Sequence, residues 1–120
     1  MATAPETTTA VRFRQGAAVV DLPAQIDATA ERALNDAYAA ATERGVKTIV
    51  LNFGGVDFLS STGIALIVGV LARARKDGRA INAAGLSDHY REIFEITRLA
   101  DFMTIYPDER AALSDEKEGR

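Results

Sequence analysis

Cysteine and tryptophan are both missing from this chain, and histidine occurs once. The lack of cysteine excludes disulfides, thiolate nucleophiles and metal sites built on sulfur. The lone histidine, His89, lies among Asp88, Arg91 and Glu92 in a helical stretch, the pattern of a solvated face rather than of a proton shuttle. The carboxylates are not spaced as in a calcium loop, and neither a GxSxG elbow nor a GxxxxGK(S/T) phosphate loop is present. Gly54-Gly55 is not GxGxxG and reads as a strand-ending turn. No catalytic residue, metal ligand or cofactor is therefore expected, and the chain is not expected to be an enzyme.

Positive charge is also in short supply. Fourteen Lys and Arg face 17 Asp and Glu, a net charge of −3, so a basic face able to grip nucleic acid is not expected. The longest apolar run, "GIALIVGVLA", falls short of the roughly 20 residues that cross a bilayer, and no membrane insertion is expected. The start "MATAPETTTA" lacks a basic segment followed by an apolar one, so a cytoplasmic location without a signal peptide is the expectation.

What is present is the material for one domain: 120 residues, of which 48% are hydrophobic. Residues 1–10 read as a flexible tail. Two apolar runs around Gln15-Gly16 predict a hairpin with strands near 11–14 and 17–22, the second ended by Pro23. Residues 27–45 predict a helix, with Asp27 or Thr29 as cap, Ala30, Leu34, Ala37 and Ala41 at helical spacing, and Gly45 as stop. "VKTIVLNF" predicts a central strand buried on both faces. A second helix spans about 61–77, stopped by Gly78, with Ile64, Ile67, Val68 and Leu71 as its inward stripe. A strand near 79–84 follows. A third helix has Ser87 as cap and Tyr90, Ile93 and Phe94 facing inward. After it come a short strand in "FMTIYP", a short helix and a charged tail over 114–120. The order ββαβαβαβα over 11–113 predicts an α/β fold, a mixed but mostly parallel sheet of four to five strands with about four helices.

Ser60, Ser61 and Thr62 are the one local concentration of chemistry. Capping of the second helix accounts for one hydroxyl, or two, and leaves another over. The sharper reading is a kinase substrate. A phosphoryl group adds about −1.5 to −2 charges at pH 7, which a helix N-terminus tolerates but a docked partner does not. Leu66 and Val70, one turn apart, are read as an outer face of this helix, and Ala65, Gly69 and Ala72 as small residues that admit a close neighbour. That neighbour is a partner, a second copy, or another helix of the same chain.

Three blocks resemble a known family. "VVDLPAQIDATA" is similar to the L-x-G-E-I/L-D segment of STAS domains, "VLNFGGVDFLSSTGIALIVGV" to their D-S-S/T-G-L/I signature, and "REIFEITRLADFMTIYP" to their late helix and last strand. The resemblance covers roughly 11–113 and implies the STAS fold, with helices mostly on one side of the sheet. It further implies an anti-sigma factor antagonist. In its unphosphorylated state such a protein binds an anti-sigma factor that is itself a Ser/Thr kinase of the GHKL type. Phosphorylation of the signature hydroxyl releases it, and a phosphatase resets it. Carried over residue by residue, the phosphoacceptor falls on Ser61 or Thr62, with Ser61 ahead. The partner surface falls on Asp27, Ser60 and Gly63, to which the helix pattern adds Leu66 and Val70. The chain departs from the family at Ser60, where Asp is usual, at Ala24 and Gln25 for Gly and Glu, and at Arg98 for a frequent Gly. The Ser60 departure keeps a second reading open: a STAS scaffold or subunit of a stress-sensing or lipid-transport complex, with no phosphate involved.

Overall fold

A computed structural model of the chain describes residues 9–117. Gln15 and Gly16 both take positive φ, 54° and 84°, which is the backbone of a primed two-residue turn. It joins β1 (Ala10–Arg14) to β2 (Ala17–Asp21) in antiparallel register from Ala10↔Asp21 to Arg14↔Ala17. After β2 the chain crosses and recrosses the sheet in the way that parallel pairing requires. Strands β4 (Thr48–Asn52), β6 (Ala80–Ala84) and β7 (Thr104–Tyr106) add parallel to β2. The spatial order is β1-β2-β4-β6-β7, a five-stranded mixed sheet whose one antiparallel member is the hairpin edge.

Two short strands, β3 (Gln25–Ile26) and β5 (Phe58–Leu59), form a separate parallel pair. The alternation of a two-residue strand is too brief to be read in the sequence, and neither was expected.

Helices α1 (Glu31–Thr42), α2 (Ser61–Asp77) and α3 (Asp88–Ile96) cover one face of the sheet. Ala18, Val20, Ile49, Leu51, Ile81 and Ala83 point to that side and meet Leu34, Tyr38, Ile67, Leu71 and Phe94. The alternate residues of the same strands, Ala17, Val19, Val50 and Ala84, point the other way and are sealed by Ala112 and Leu113 of α4 (Glu109–Lys117). The near-continuous apolar stretches of β2 and β4 are therefore buried on both faces, as the sequence predicts for β4. Three helices lie on one side and the fourth on the other.

Two boundaries differ from the sequence reading. Asp27 caps a 3-10 turn at Ala28–Ala30, and α1 begins only at Glu31. At the other end, Asp108 caps α4 by accepting from the Ala111 N–H at 2.9 Å. With Ala112 and Leu113 anchored on the sheet, the helix runs on to Lys117, past the expected start of the tail at 114. The expected tail residues 1–8 and 118–120 lie outside the described residues.

Arg98, where the family pattern favours glycine, takes φ 68°, a left-handed conformation that costs a residue with a Cβ about 1–2 kcal/mol. Its Nε donates to Asp101 Oδ2 at 2.7 Å, just before the chain enters β7.

Candidate functional site around the Ser60–Gly63 loop

The loop is built from below by β3 and β5. The carbonyl of Ala24 accepts from the N–H groups of Asp57 and Phe58, at 2.8 and 3.1 Å, and the carbonyl of Ile26 accepts from the Ser60 N–H at 3.0 Å. On the far side Tyr90, half-buried on α3, accepts the Leu59 N–H on its phenolic oxygen at 3.0 Å. Every backbone donor from Asp57 to Ser60 is thus held by another element before α2 begins.

Gly63 locks the helix onto this frame. A Cβ placed there would lie 1.9 Å from the Ile26 carbonyl oxygen and 2.7 Å from its carbon. Only a residue without a side chain permits the contact. Because β3 leads straight into Asp27, the same contact brings Asp27 beside the hydroxyl loop. Asp27 is half-buried, and its Oδ1 accepts from the Thr29 hydroxyl at 2.5 Å and the Thr29 N–H at 3.0 Å. Those bonds favour the ionised form and hold its carboxyl below the usual range.

The three hydroxyls divide cleanly. Ser60 is extended, with φ −78° and ψ 170°, and its Oγ accepts the Gly63 N–H at 2.9 Å. It is the N-cap, doing with a neutral oxygen what the family's usual aspartate is chemically suited to do with a charged one. Ser61 and Thr62 occupy the first two helical positions, and both are exposed. Among the described residues no group hydrogen-bonds either side-chain hydroxyl. They stand at the positive end of a 17-residue helix, where first-turn N–H groups lack intrahelical acceptors.

The rotation of α2 differs from the sequence reading, and the glycine is the reason. With Gly63 against Ile26, the buried positions become Gly63, Ile67, Val70, Leu71 and Ala74. Val70 is 6% exposed and belongs to the core, so it does not form an outer face. Val68, expected in the inward stripe, is 43% exposed. Leu66 is half-buried and packs against the core. The outward strip is Ser61, Thr62, Ala65, Val68, Gly69 and Ala72. Hydrophobicity alone picks out the branched residues. It misses the small ones, Gly63 and Ala74, whose size sets the helix against the rest of the fold.

Phe58, immediately before the loop, is 46% exposed and was not singled out in the sequence. An isolated aromatic at a strand end carries no periodic signal. His89 is exposed on α3, with its ring 5.0 Å from that of Tyr90. Among the described residues no group of three His, Cys, Asp or Glu is placed to hold a metal ion, and no helix is long and apolar enough to cross a membrane.

Comparison with known proteins agrees with this architecture. Residues 8–112 match the family model described as the STAS domain. The anti-sigma-B factor antagonist of Staphylococcus aureus is 29% identical over 100 residues, 83% of this chain and 89% of that protein. The crystal structure of an anti-sigma factor antagonist from Mycobacterium paratuberculosis superposes with a TM-score of 0.77 at 24% identity, covering 95% of this chain and 97% of that one. The Bacillus cell fate determinant SpoIIAA in its phosphorylated form superposes with a TM-score of 0.66 at 21% identity, covering 88% and 96%. The overall α/β architecture is thus shared with these structures, and the chain belongs to the STAS domain family.

Proposed function

We propose that this protein is an anti-sigma factor antagonist switched at the Ser60–Gly63 loop. It binds an anti-sigma factor while Ser61 and Thr62 are free, and phosphorylation of Ser61, with Thr62 as the second candidate, releases it. The anti-sigma factor is itself the Ser/Thr kinase, of the GHKL type, and a phosphatase restores the hydroxyl. The observation that carries this reading is the division of labour among the hydroxyls. Ser60 is committed to the cap, whereas the next two are exposed and unengaged.

A dianion on Ser61 meets the free N–H groups and dipole of α2, so the fold tolerates it. A partner fitted to the neutral surface does not. The contact surface we assign comprises Asp27, Ser60, Gly63 and Leu66 with the exposed strip of α2, and Val70, being core, is not part of it. The similarity to antagonists in Staphylococcus and Mycobacterium, and to a relative that exists in a phosphorylated form, supports the reading.

Ser61→Asp is expected to weaken binding to the anti-sigma factor about 5- to 150-fold, the range of regulated coupling of 1–3 kcal/mol, and to leave the melting temperature unchanged. Isothermal titration calorimetry and a thermal melt measure both. Incubation with the kinase and ATP is expected to add about 80 Da, one phosphoryl group. Normal binding by Ser61→Asp together with no mass gain would favour the fixed-scaffold reading, to which the neutral cap at Ser60 already lends some weight.

A further inference from the structure

Arg14 lies 30 residues before Arg44 in the sequence, yet folding brings both, with Lys47, around one concavity. Arg14 ends β1, Arg44 lies in the turn after α1, and Lys47 precedes β4, and all three line a cavity of about 410 Å³ floored by Phe13 and the hairpin turn. No carboxylate lines it. Among the described residues none of the three pairs with an acid: the ion pairs there are Arg12 with Asp21 and Glu109, Arg91 with Glu95, and Arg98 with Asp101. The cavity sits at the end of the sheet where the parallel strands begin. The hydroxyl loop sits where they end, so the two are at opposite poles of the molecule.

Arg44 is held in place, and a further cation lies close behind the cavity wall. The Arg44 guanidinium carbon lies 4.0 Å from the centroid of the Phe13 ring, a stacked arrangement that reduces the rotamer freedom a bound anion would otherwise have to remove. A fourth guanidinium, that of Arg79, donates to the carbonyl of Val46, which lines the same cavity, and its buried Nε has no hydrogen-bond partner among the described residues. Like charges gathered in a concave surface repel one another and raise a local positive potential, although the whole chain carries −3. Two planar forks and one ammonium converging on a single space match an anion with several oxygens. A lone carboxylate would satisfy only one of them.

We propose that this cavity binds a compact phosphate-bearing anion, held by Arg14, Arg44 and Lys47. The phosphate arrives on a free small molecule or on a lipid headgroup, and the test separates these sources. Sodium pyrophosphate is titrated into the full chain at constant ionic strength and followed by amide NMR. Saturable shifts are expected at residues 14–17 and 44–47. The triple variant R14Q/R44Q/K47Q is expected to weaken binding by at least about tenfold, equivalent to 1.4 kcal/mol. The control R32Q/R91Q/R110Q loses the same net charge from exposed sites elsewhere and is expected to stay within about twofold of the parent. Should the first triple variant not fold, Lys47→Gln alone is read against Arg32→Gln alone, with the same direction expected.

Co-sedimentation with phosphatidylcholine vesicles containing phosphatidic acid forms the second arm. Sedimentation that depends on Arg14, Arg44 and Lys47, with pyrophosphate silent, assigns the phosphate to a lipid. Silence in both arms, or equal loss in the control, overturns the proposal.

Discussion

At the scale of single residues, two glycines of the same helix make opposite predictions. Gly63 and Gly69 both lie within α2, where replacing glycine by alanine ordinarily gains about 0.5–1 kcal/mol through lost chain entropy. At Gly69 a Cβ meets nothing within 4 Å, and Gly69→Ala is expected to show that gain. At Gly63 the Cβ meets a backbone carbonyl, which cannot swing aside as a side chain can. Gly63→Ala is therefore expected to cost about 1–3 kcal/mol, the range for overpacking. Urea denaturation of the two variants checks the reversal of sign, and a gain at Gly63 would contradict the locking of α2 onto β3. The glycine before the greasy run is visible in the sequence, but its partner, the carbonyl of Ile26, is 37 residues earlier by the numbering and invisible there.

At the scale of elements, α1 and α2 are tied near the end of α2 by a hydrogen bond from the phenol of Tyr38 to Asp77 Oδ2, 2.6 Å long, and by one from Arg73 to Asn35 Oδ1 at 3.0 Å. Tyr38 is buried, and its surroundings penalise the phenolate; burial and then the bond to a carboxylate push its pKa up to about 12. The folded-state value lies above the unfolded one of about 10. The contribution to stability is therefore complete below about pH 10 and is lost as pH rises through about 12. Ultraviolet titration of the parent is expected to show a tyrosine component near pH 12 that Tyr38→Phe lacks, and its persistence in the variant would refute the assignment. The rotation of α2 belongs to this scale too. Val68 and Val70 are chemically alike and two positions apart, so the pattern of branched residues could not tell which faced the core. The packing of Gly63, Ile67 and Ala74 did.

At the scale of the whole molecule, a polar cluster ties three strands of the sheet to the helix on its far face. Arg12 on the edge strand bonds Asp21 of β2 in bidentate fashion, at 2.6 and 2.8 Å, and reaches Glu109 at the start of α4 at 2.7 Å. Asn52 of β4 adds a bond to Asp21 at 2.8 Å. The Arg12 bonds, followed by the Asn52 bond, hold the Asp21 carboxyl below the usual carboxylate range despite partial burial, and Asp21 with Glu109 raises Arg12 further. A depressed folded-state value means that the stabilisation is present above the unfolded pKa of about 3.9 and is lost as pH falls below it. Asp21→Asn is thus expected to lower the melting temperature at pH 7, with the gap to the parent closing as pH drops from about 4 toward 2. A gap independent of pH would assign the loss to shape rather than charge.

The amino-acid sequence by itself determined what depends on neighbours within a turn or a strand: the hairpin at Gln15-Gly16, the helix that follows the hydroxyl cluster with its stop at Gly78, the helix capped at Ser87, the two-face burial of β4, and the hydroxyl loop with its family resemblance. Each of these follows from local backbone preference or from a hydrophobic period of a few residues. Only the tertiary structure decided which hydroxyl is a cap and which are free, which side of α2 faces outward, and that Tyr90 and Ile26 brace the loop. It also decided that Arg14, Arg44 and Lys47 share one cavity. Those facts depend on contacts between distant segments, and such contacts are set by excluded volume and burial across the assembled core, for which a linear pattern holds no register.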